Sequence, residues 1–422
     1  MSRRGSAVVP QPSSPVALYV HIPFCLSLCP YCDFVVFAGR AARGPSSRVG
    51  AFLEALHAEL DLRADALDRR FGPKRPPLRS LYLGGGTPSL LPADEVVRLV
   101  EHARTRYGLA SDAEVTLEAN PGSADRGDLA GFFAAGVNRL SLGVQVLDAG
   151  GLRTLGRRHA PGEAAEAVAE ARQAGFANVS VDLLYDVPGQ SLAGWEHTID
   201  GILALEIDHV SAYALTLDDP DAEGLAGPLG DHLPTRPGAR GWRARARLRQ
   251  DEDRAAACYG LADGCLSAAG FHWYELSNWA LPGRESRHNL AYWRHEPYEA
   301  VGPGAHAYDG GACRRWNAAR LDAYIDALVP GGRRRPRLPP GGEEILDATA
   351  YLVEAAMLGL RLREGIDGDL ATAPGVARAV DWGLAHGLVE LGPAGGVSMT
   401  LRGRLLADEV FVRLPIAGAP SA

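Results

Sequence analysis

No stretch of this chain approaches the roughly 20 consecutive apolar residues that a membrane-spanning helix requires. A membrane span is therefore not expected. The N-terminal segment Met1–Pro15 carries two arginines but no apolar h-region, so it does not read as a secretory signal. Its Ser, Pro and Gly content predicts a flexible tail over residues 1–15. An excess of positive charge is also missing. The formal net charge of −8 argues against nucleic acid as a partner. Cysteine is scarce, with six in 422 residues, whereas a disulfide-stapled secreted scaffold is short and cysteine-dense. Cys258, Cys265 and Cys313 are scattered and read as small hydrophobes. Cys25, Cys29 and Cys32 stand together and need a separate explanation, which carries with it a reducing, cytoplasmic compartment.

What is present is ordinary for a globular chain: 46% hydrophobic and 22% charged residues. The length calls for more than one core. Six apolar or β-branched runs recur, at Ala17–Pro23, Ser80–Gly85, Glu114–Asn120, Arg139–Gln145, Asn178–Pro188 and His209–Leu217. They have the composition of buried parallel strands. Amphipathic stretches lie between them. The first shows the stripe Val49, Phe52, Leu53, Leu56 and Leu60, and others cover Ala93–Tyr107, Ala124–Ala135, Gly162–Ala174 and Leu192–Leu205. A further helix is predicted over Asp251–Ala269. Alternating units of this kind imply an α/β fold with a parallel sheet and right-handed crossovers. Six are fewer than the eight of a closed TIM barrel, so a partial (β/α)6 barrel is predicted. On pattern alone a doubly wound sheet stays open.

The barrel with its extension is expected over residues 16–310. Within it Pro220–Arg249 reads as an irregular surface excursion, and His272–Trp279 as an extra strand. A connecting segment and linker follow over residues 311–342, where Arg333, Arg334, Arg335 and Arg337 read as a solvated run. Residues 343–415 are expected to form a small winged-helix-like domain. Its predicted parts are helices Glu343–Leu362 and Val376–Gly387, a two-stranded wing within Leu388–Leu401, and a closing helix Arg402–Arg413.

The cysteine spacing is C-x3-C-x2-C, directly after the first strand. Three thiolates on one tight loop can hold three irons of a [4Fe–4S] cubane. The fourth iron is then open to an exchangeable ligand. S-adenosylmethionine (SAM) can chelate it through its amino and carboxylate groups, which brings the sulfonium beside the cluster for one-electron cleavage. Structural zinc is the competing reading, but such sites close tetrahedrally on four Cys or His ligands. His21 precedes the cysteines on an extended run and points awkwardly for that purpose. The strand ends supply groups that SAM needs. Gly84-Gly85-Gly86-Thr87 lets backbone approach a ligand, Glu118, Gln145 and Asp182 lie at or near later strand ends, and Arg157 can pair with a carboxylate. Taken singly, each polar residue is as readily a strand-end hydrogen-bonding group.

The series LYVHIPFC, YLGGGTPSLL, LEANPG, RLSLGVQ, DLLYDVPGQ and TLRGRLLADEV resembles the radical SAM family of oxygen-independent coproporphyrinogen III oxidases and their relatives. The resemblance covers about Ala17 to Leu414, and its C-terminal part resembles the winged region of that family. It implies SAM contacts at Tyr19, Tyr31, Gly85, Gly86, Thr87, Glu118, Gln145, Arg157 and Asp182, with the cluster on Cys25, Cys29 and Cys32. The decarboxylating branch carries a further cysteine two residues after the third, where this chain has Phe34. The segment His288-Asn289-Leu290-Ala291-Tyr292-Trp293 instead matches the H-N-x-x-Y-W signature of HemW-type heme chaperones. Gly302-Pro303-Gly304-Ala305-His306 and Trp316-Asn317 extend that likeness.

The resemblance implies heme as ligand, a heme-acceptor protein and a reductant for the cluster. It places the heme on His288, Tyr292 and Trp293, and His306 is a second candidate ligand. Residue chemistry alone favours another role for that segment, an aromatic loop closing the open barrel with His288 hydrogen-bonded in place. Two alternatives stand beside the chaperone reading: radical decarboxylation of coproporphyrinogen III, and radical chemistry on an unrelated small molecule. One departure is Asp186, where the family usually has glycine, which bears on the exit of the fifth strand.

Overall fold

The computed structural model describes residues 9–44, 46–217, 224–392 and 395–415. Six strands follow one another in chain order through its central sheet: β1 (Ala17–Ile22), β2 (Leu78–Gly85), β3 (Leu109–Ala119), β4 (Arg139–Gln145), β5 (Val179–Tyr185) and β6 (His209–Ala214). Each pairs in parallel with the next. Side chains alternate across such strands, and here the two faces have opposite character. One face carries Leu18, Val20, Leu81, Leu83, Val115, Leu117, Leu140, Leu142, Val179 and Val181, all within a single buried apolar core. Helix Val49–Phe71 closes that core with Phe52, Leu53, Leu56 and Leu60. The other face carries Tyr19, Tyr82, Glu118, Ser141, Asp182 and Ser211, the lining of a partial barrel. Burying carboxyls and hydroxyls there costs free energy unless they are partnered, so this face has a use other than packing.

The helices between the strands begin where short side chains cap their free amides. Asp128, Asp148, Ser191 and Asp251 accept from the backbone of Gly131, Gly151, Gly194 and Arg254. Asp128 thereby starts its helix at Leu129, so the helix expected from Ala124 is shorter and Ala124–Gly127 forms a turn. Asp186 has φ +57°, the left-handed region that favours glycine. Its carboxylate accepts from Arg254 Nε at 2.8 Å. That ion pair holds a conformation glycine would adopt freely.

The sheet extends beyond both edges of the six. On β6 lies an antiparallel hairpin of β7 (His272–Glu275) and β8 (Asn278–Ala280), where one strand was expected. On β1 lies β9 (Tyr298–Val301), parallel, followed by antiparallel β10 (His306–Tyr308), β11 (Cys313–Asn317) and β12 (Gly341–Ile345). The expected linker over 311–342 therefore contains β11, the start of β12 and helix Leu321–Leu328, joined by irregular segments. Glu343–Ile345 pairs with Cys313–Arg315, so the helix expected from Glu343 begins only after Asp347, its cap. Of the expected tail, Met1–Val8 lies outside the described residues, whereas Ser13 N donates to Asp309 O at 3.0 Å and ties the rest to the sheet. The Pro220–Arg249 excursion lies outside the described residues up to Glu223 and contains helix Pro237–Arg247.

The C-terminal module has its own core of Ala356, Leu360, Val376, Val380, Val389 and Val410. It comprises helices Ala348–Leu360, Gly368–Ala371 and Val376–Ala385, the hairpin of β13 (Val389–Leu391) and β14 (Val397–Met399), and two short closing helices. The expected closing helix is broken at Leu406, whose φ of −119° and ψ of 33° leave the helical region, giving Leu401–Leu405 and Ala407–Phe411.

Candidate cofactor site at the strand ends

The cysteine loop leaves β1 and folds back across the C-terminal ends of the strands. Two backbone bonds fix its start: Gly86 N donates to Ile22 O at 2.9 Å and Thr87 N to Phe24 O at 2.8 Å. A Cβ on Gly86 would stand 2.7 Å from Phe24 O, and one on Gly85, whose φ is +111°, would stand 2.5 Å from His21 Nδ1. Both glycines are thus demanded by the protein's own backbone. His21 Nε2 donates to Val35 O at 2.8 Å and Nδ1 accepts from Tyr19 OH at 3.0 Å. Burial drives its pKa down to about 4, so a neutral imidazole pins the loop's exit. Tyr19 acts through His21 and does not line the cavity beyond.

The three cysteines are free thiols on one wall of a cavity of about 1250 Å³. Burial pushes Cys25 up to about 11 and Cys32 up to about 12, so these sulfurs ionise only when a cation compensates them. Thr87 Oγ1 donates to Cys25 Sγ at 3.4 Å, and Arg157 lies with Nη1 3.9 Å from Cys29 Sγ. Among the described residues no three His, Cys, Asp or Glu side chains converge where one ion could be gripped. A tetrahedral zinc needs that convergence, with sulfurs about 2.3 Å from the metal. A cubane gives each thiolate its own iron. The residues fit the cluster.

Across the cavity stand Gly85, Gly86, Thr87, Glu118, Gln145, Arg157 and Asp182, together with Tyr31 from the loop. Glu118 accepts from Tyr82 OH at 2.8 Å and Gly85 N at 2.9 Å, yet burial raises its pKa to about 7. Burial also raises Asp182, which accepts from Ser141 Oγ at 3.1 Å. Gln145 sits at φ +70°, a strained conformation of the kind that gathers at binding sites. Arg157 donates to Gly143 O at 2.6 Å and to Asn120 Oδ1, so part of its fork is already engaged.

Of the H-N-x-x-Y-W segment, Asn289 lines this cavity, whereas His288, Tyr292 and Trp293 stand behind its wall. Helix Arg287–Trp293 crosses the opposite end of the barrel, where Glu114 accepts from the amides of Arg287 and His288 at 3.0 Å each. His288 is buried, with Nδ1 2.9 Å from Ser80 Oγ and Nε2 2.7 Å from Tyr292 OH. Burial lowers its pKa to about 3. Both ring nitrogens are engaged in the hydrogen-bonded closure that residue chemistry describes, and an axial bond from His288 to heme iron would displace one of these two partners. Tyr292 is the partner of His288, and Trp293 packs under Arg361, whose guanidinium carbon is 5.3 Å from its ring centroid. His306 is held by Asp231 at 2.8 Å.

Several site residues carried no local signal in the sequence. Asn120 bridges Arg157, Thr87 Oγ1 at 3.1 Å and Asp125 at 3.0 Å. Arg243, buried in helix Pro237–Arg247, donates to the carbonyls of Pro30, Tyr31 and Cys32 at 3.2, 3.1 and 3.0 Å and so clamps the cysteine loop from behind. His159 lines the cavity as a neutral ring, lowered by burial to about 4, with Nε2 buried and unpartnered.

Residues 19–202 match the model of the radical SAM superfamily. Over 403 residues the chain is 40% identical to the heme chaperone HemW of Mycobacterium tuberculosis, covering 96% of this chain and 95% of that protein. This chain belongs to the HemW family. A second HemW, from Bacillus subtilis, is 32% identical over 93% of this chain and 97% of its own length. The mitochondrial radical S-adenosyl methionine domain-containing protein 1 of Danio rerio is 34% identical over 85% of this chain and 75% of its own. The fold of this HemW-family chain is that of coproporphyrinogen III oxidase (HemN) from Escherichia coli, with a TM-score of 0.75 at 21% identity, over 96% of this chain and 91% of that one. Among the described residues, no helix is long and apolar enough to cross a membrane.

Proposed function

We propose that this protein is a heme chaperone: it binds heme, carries a SAM-ligated [4Fe–4S] cluster on Cys25, Cys29 and Cys32, and passes heme to an acceptor protein. The observation that carries the reading is the near full-length similarity to a protein named heme chaperone HemW, 40% identical across 96% of this chain. Phe34 supports it over coproporphyrinogen oxidation, since it stands 62% exposed where the decarboxylating branch carries a further cysteine.

In this reading Glu118, Gln145 and Asp182 receive the hydroxyl and amino groups of SAM, and Arg157 offers its remaining donors to the carboxylate. Thr87 and Arg157 steady the sulfurs of Cys25 and Cys29. The bound cluster supplies one-electron chemistry. Three free thiols committed to iron suit a reducing cytoplasmic compartment, and a one-electron donor is implied as a partner.

The test is anaerobic reconstitution with iron and sulfide, followed by titration with heme and, separately, assay with coproporphyrinogen III and SAM. One heme bound per chain without porphyrinogen turnover is the expected result. Protoporphyrinogen IX formed in step with SAM consumption would overturn it.

A further inference from the structure

Arg361, just beyond helix Ala348–Leu360, lines the same cavity as the cysteines but belongs to the C-terminal module. Its guanidinium is bracketed by two aromatic rings, with the central carbon 5.3 Å from the Trp293 centroid and 5.2 Å from that of Phe411. Among the described residues the side chain makes no hydrogen bond and no ion pair. Burial lowers its pKa, while Glu275 and Asp408 act in the opposite sense from further away. A guanidinium keeps its charge in proteins and carries five donors in a rigid fork. Leaving such donors half-buried without an acceptor is costly.

The neighbouring arginines on this wall are employed by the protein itself. Arg404 grips Asp263 with two bonds of 2.9 Å, and Arg402 donates to His386 O at 3.0 Å. All three line the cavity, and Arg361 is the one whose guanidinium has no acceptor among the described residues. Beside Phe411, the apolar side chains of Leu405, Leu406, Leu276 and Tyr259 also line the cavity. The exposed carboxylates of Glu252, Asp253, Asp408 and Glu409 also line the cavity, so an anion is repelled there and settles at the inward cation. A volume of about 1250 Å³ exceeds the roughly 300–1,000 Å³ of ordinary small-ligand pockets. It leaves room for a macrocycle beside a nucleotide cofactor.

We propose that Arg361 anchors a carboxylate of a planar tetrapyrrole lying against the Phe411 wall, with the guanidinium held ready by the faces of Trp293 and Phe411. The proposal rests on the heme-chaperone reading and locates the edge by which heme is held. A planar fork fixed between two rings loses little freedom on engaging a carboxylate. Charge-assisted bonds of this kind correspond to roughly tenfold to a hundredfold in affinity.

The experiment uses the reconstituted full chain and two probes, iron protoporphyrin IX and its dimethyl ester, in which both carboxylates are masked. The wild type is expected to bind the diacid at least about tenfold more tightly than the ester. Arg361→Gln should weaken the diacid by about tenfold, leave the ester unchanged, and keep iron, sulfide and SAM binding at wild-type levels. Arg361→Lys should recover part of the loss. Equal binding of diacid and ester by the wild type overturns the proposal without any variant. An Arg361→Gln protein that still prefers the diacid as strongly as the wild type does so too, and both outcomes leave the heme reading standing. A wild type that binds neither probe overturns the heme reading and the proposal together.

Discussion

Glu118 shows how a single side chain at a strand end is set by its surroundings. It lies inside the barrel with two donors, Tyr82 OH and Gly85 N, and burial still lifts its pKa to about 7. The unfolded chain would titrate it near 4.3. A carboxyl whose folded pKa is raised binds its proton more tightly when folded, so stability falls as pH climbs from the unfolded value through about 7 and then levels off. The loss is on the order of 3 kcal/mol for a shift of this size. Glu118→Gln cannot ionise, so before SAM is added its stability relative to wild type is expected to rise across that interval and flatten above it. Denaturant unfolding of the two proteins at pH 5, 6, 7 and 8 measures the difference, and parallel curves would refute the assignment. Asp182, raised in the same direction, couples electrostatically to Glu118, so the difference between the two proteins reports the pair rather than Glu118 alone.

Helix Pro237–Arg247 carries its meaning as a whole element. Its inner face delivers the Arg243 guanidinium to three successive loop carbonyls, Pro30, Tyr31 and Cys32, while the loop's Tyr31 and the helix's Trp242 pack against the apolar cluster of Val146, Leu155, Leu184 and Leu215. Arg243→Ala removes three bonds at once and should leave a loop that takes up iron but loses it faster, with Arg243→Lys intermediate. Iron and sulfide per chain, followed over time in limited air, reads this out; equal decay in all three proteins would exclude a clamping role. This element also marks where the sequence stopped being informative. The six parallel units were legible because apolar, β-branched runs and helical stripes are local patterns, and the cysteine spacing because its donors adjoin in the chain. Arg243 meets the loop from more than 200 positions away, and one arginine in a Gly- and Pro-rich stretch carries no mark of its partner. The strand β12 was missed for a related reason: Gly341 and Gly342 have no strand propensity of their own and are recruited by β11. The hydrogen bonding of His288 was readable from its chemistry, and its partners are the hydroxyls of Ser80 and Tyr292.

At the scale of the whole molecule, the C-terminal module forms part of the cavity's wall, and among its ties to the barrel, which include Glu354 with His295 and Arg314, is a buried clasp. Arg404 reaches helix Glu252–Ala268, where Asp263 accepts both arms of its fork and also Trp279 Nε1 at 2.9 Å. Side-chain exposures of 8% and 17% place this pair well inside the joint, where breaking one partner costs about 3 kcal/mol or more. Asp263→Asn should therefore loosen the module before the barrel melts. Faster amide exchange across residues 348–415 with an unchanged barrel is the expected signature, along with quicker heme dissociation; exchange indistinguishable from wild type would mean the clasp is dispensable. The far mouth of the barrel tells a different story. With Arg287–Trp293 wedged there and both nitrogens of His288 tied down, that end is filled by the protein's own side chains, and Asn289 of the same helix lines the cavity. The plug and the cavity wall are thus one short helix, so whatever presses on the one is felt by the other.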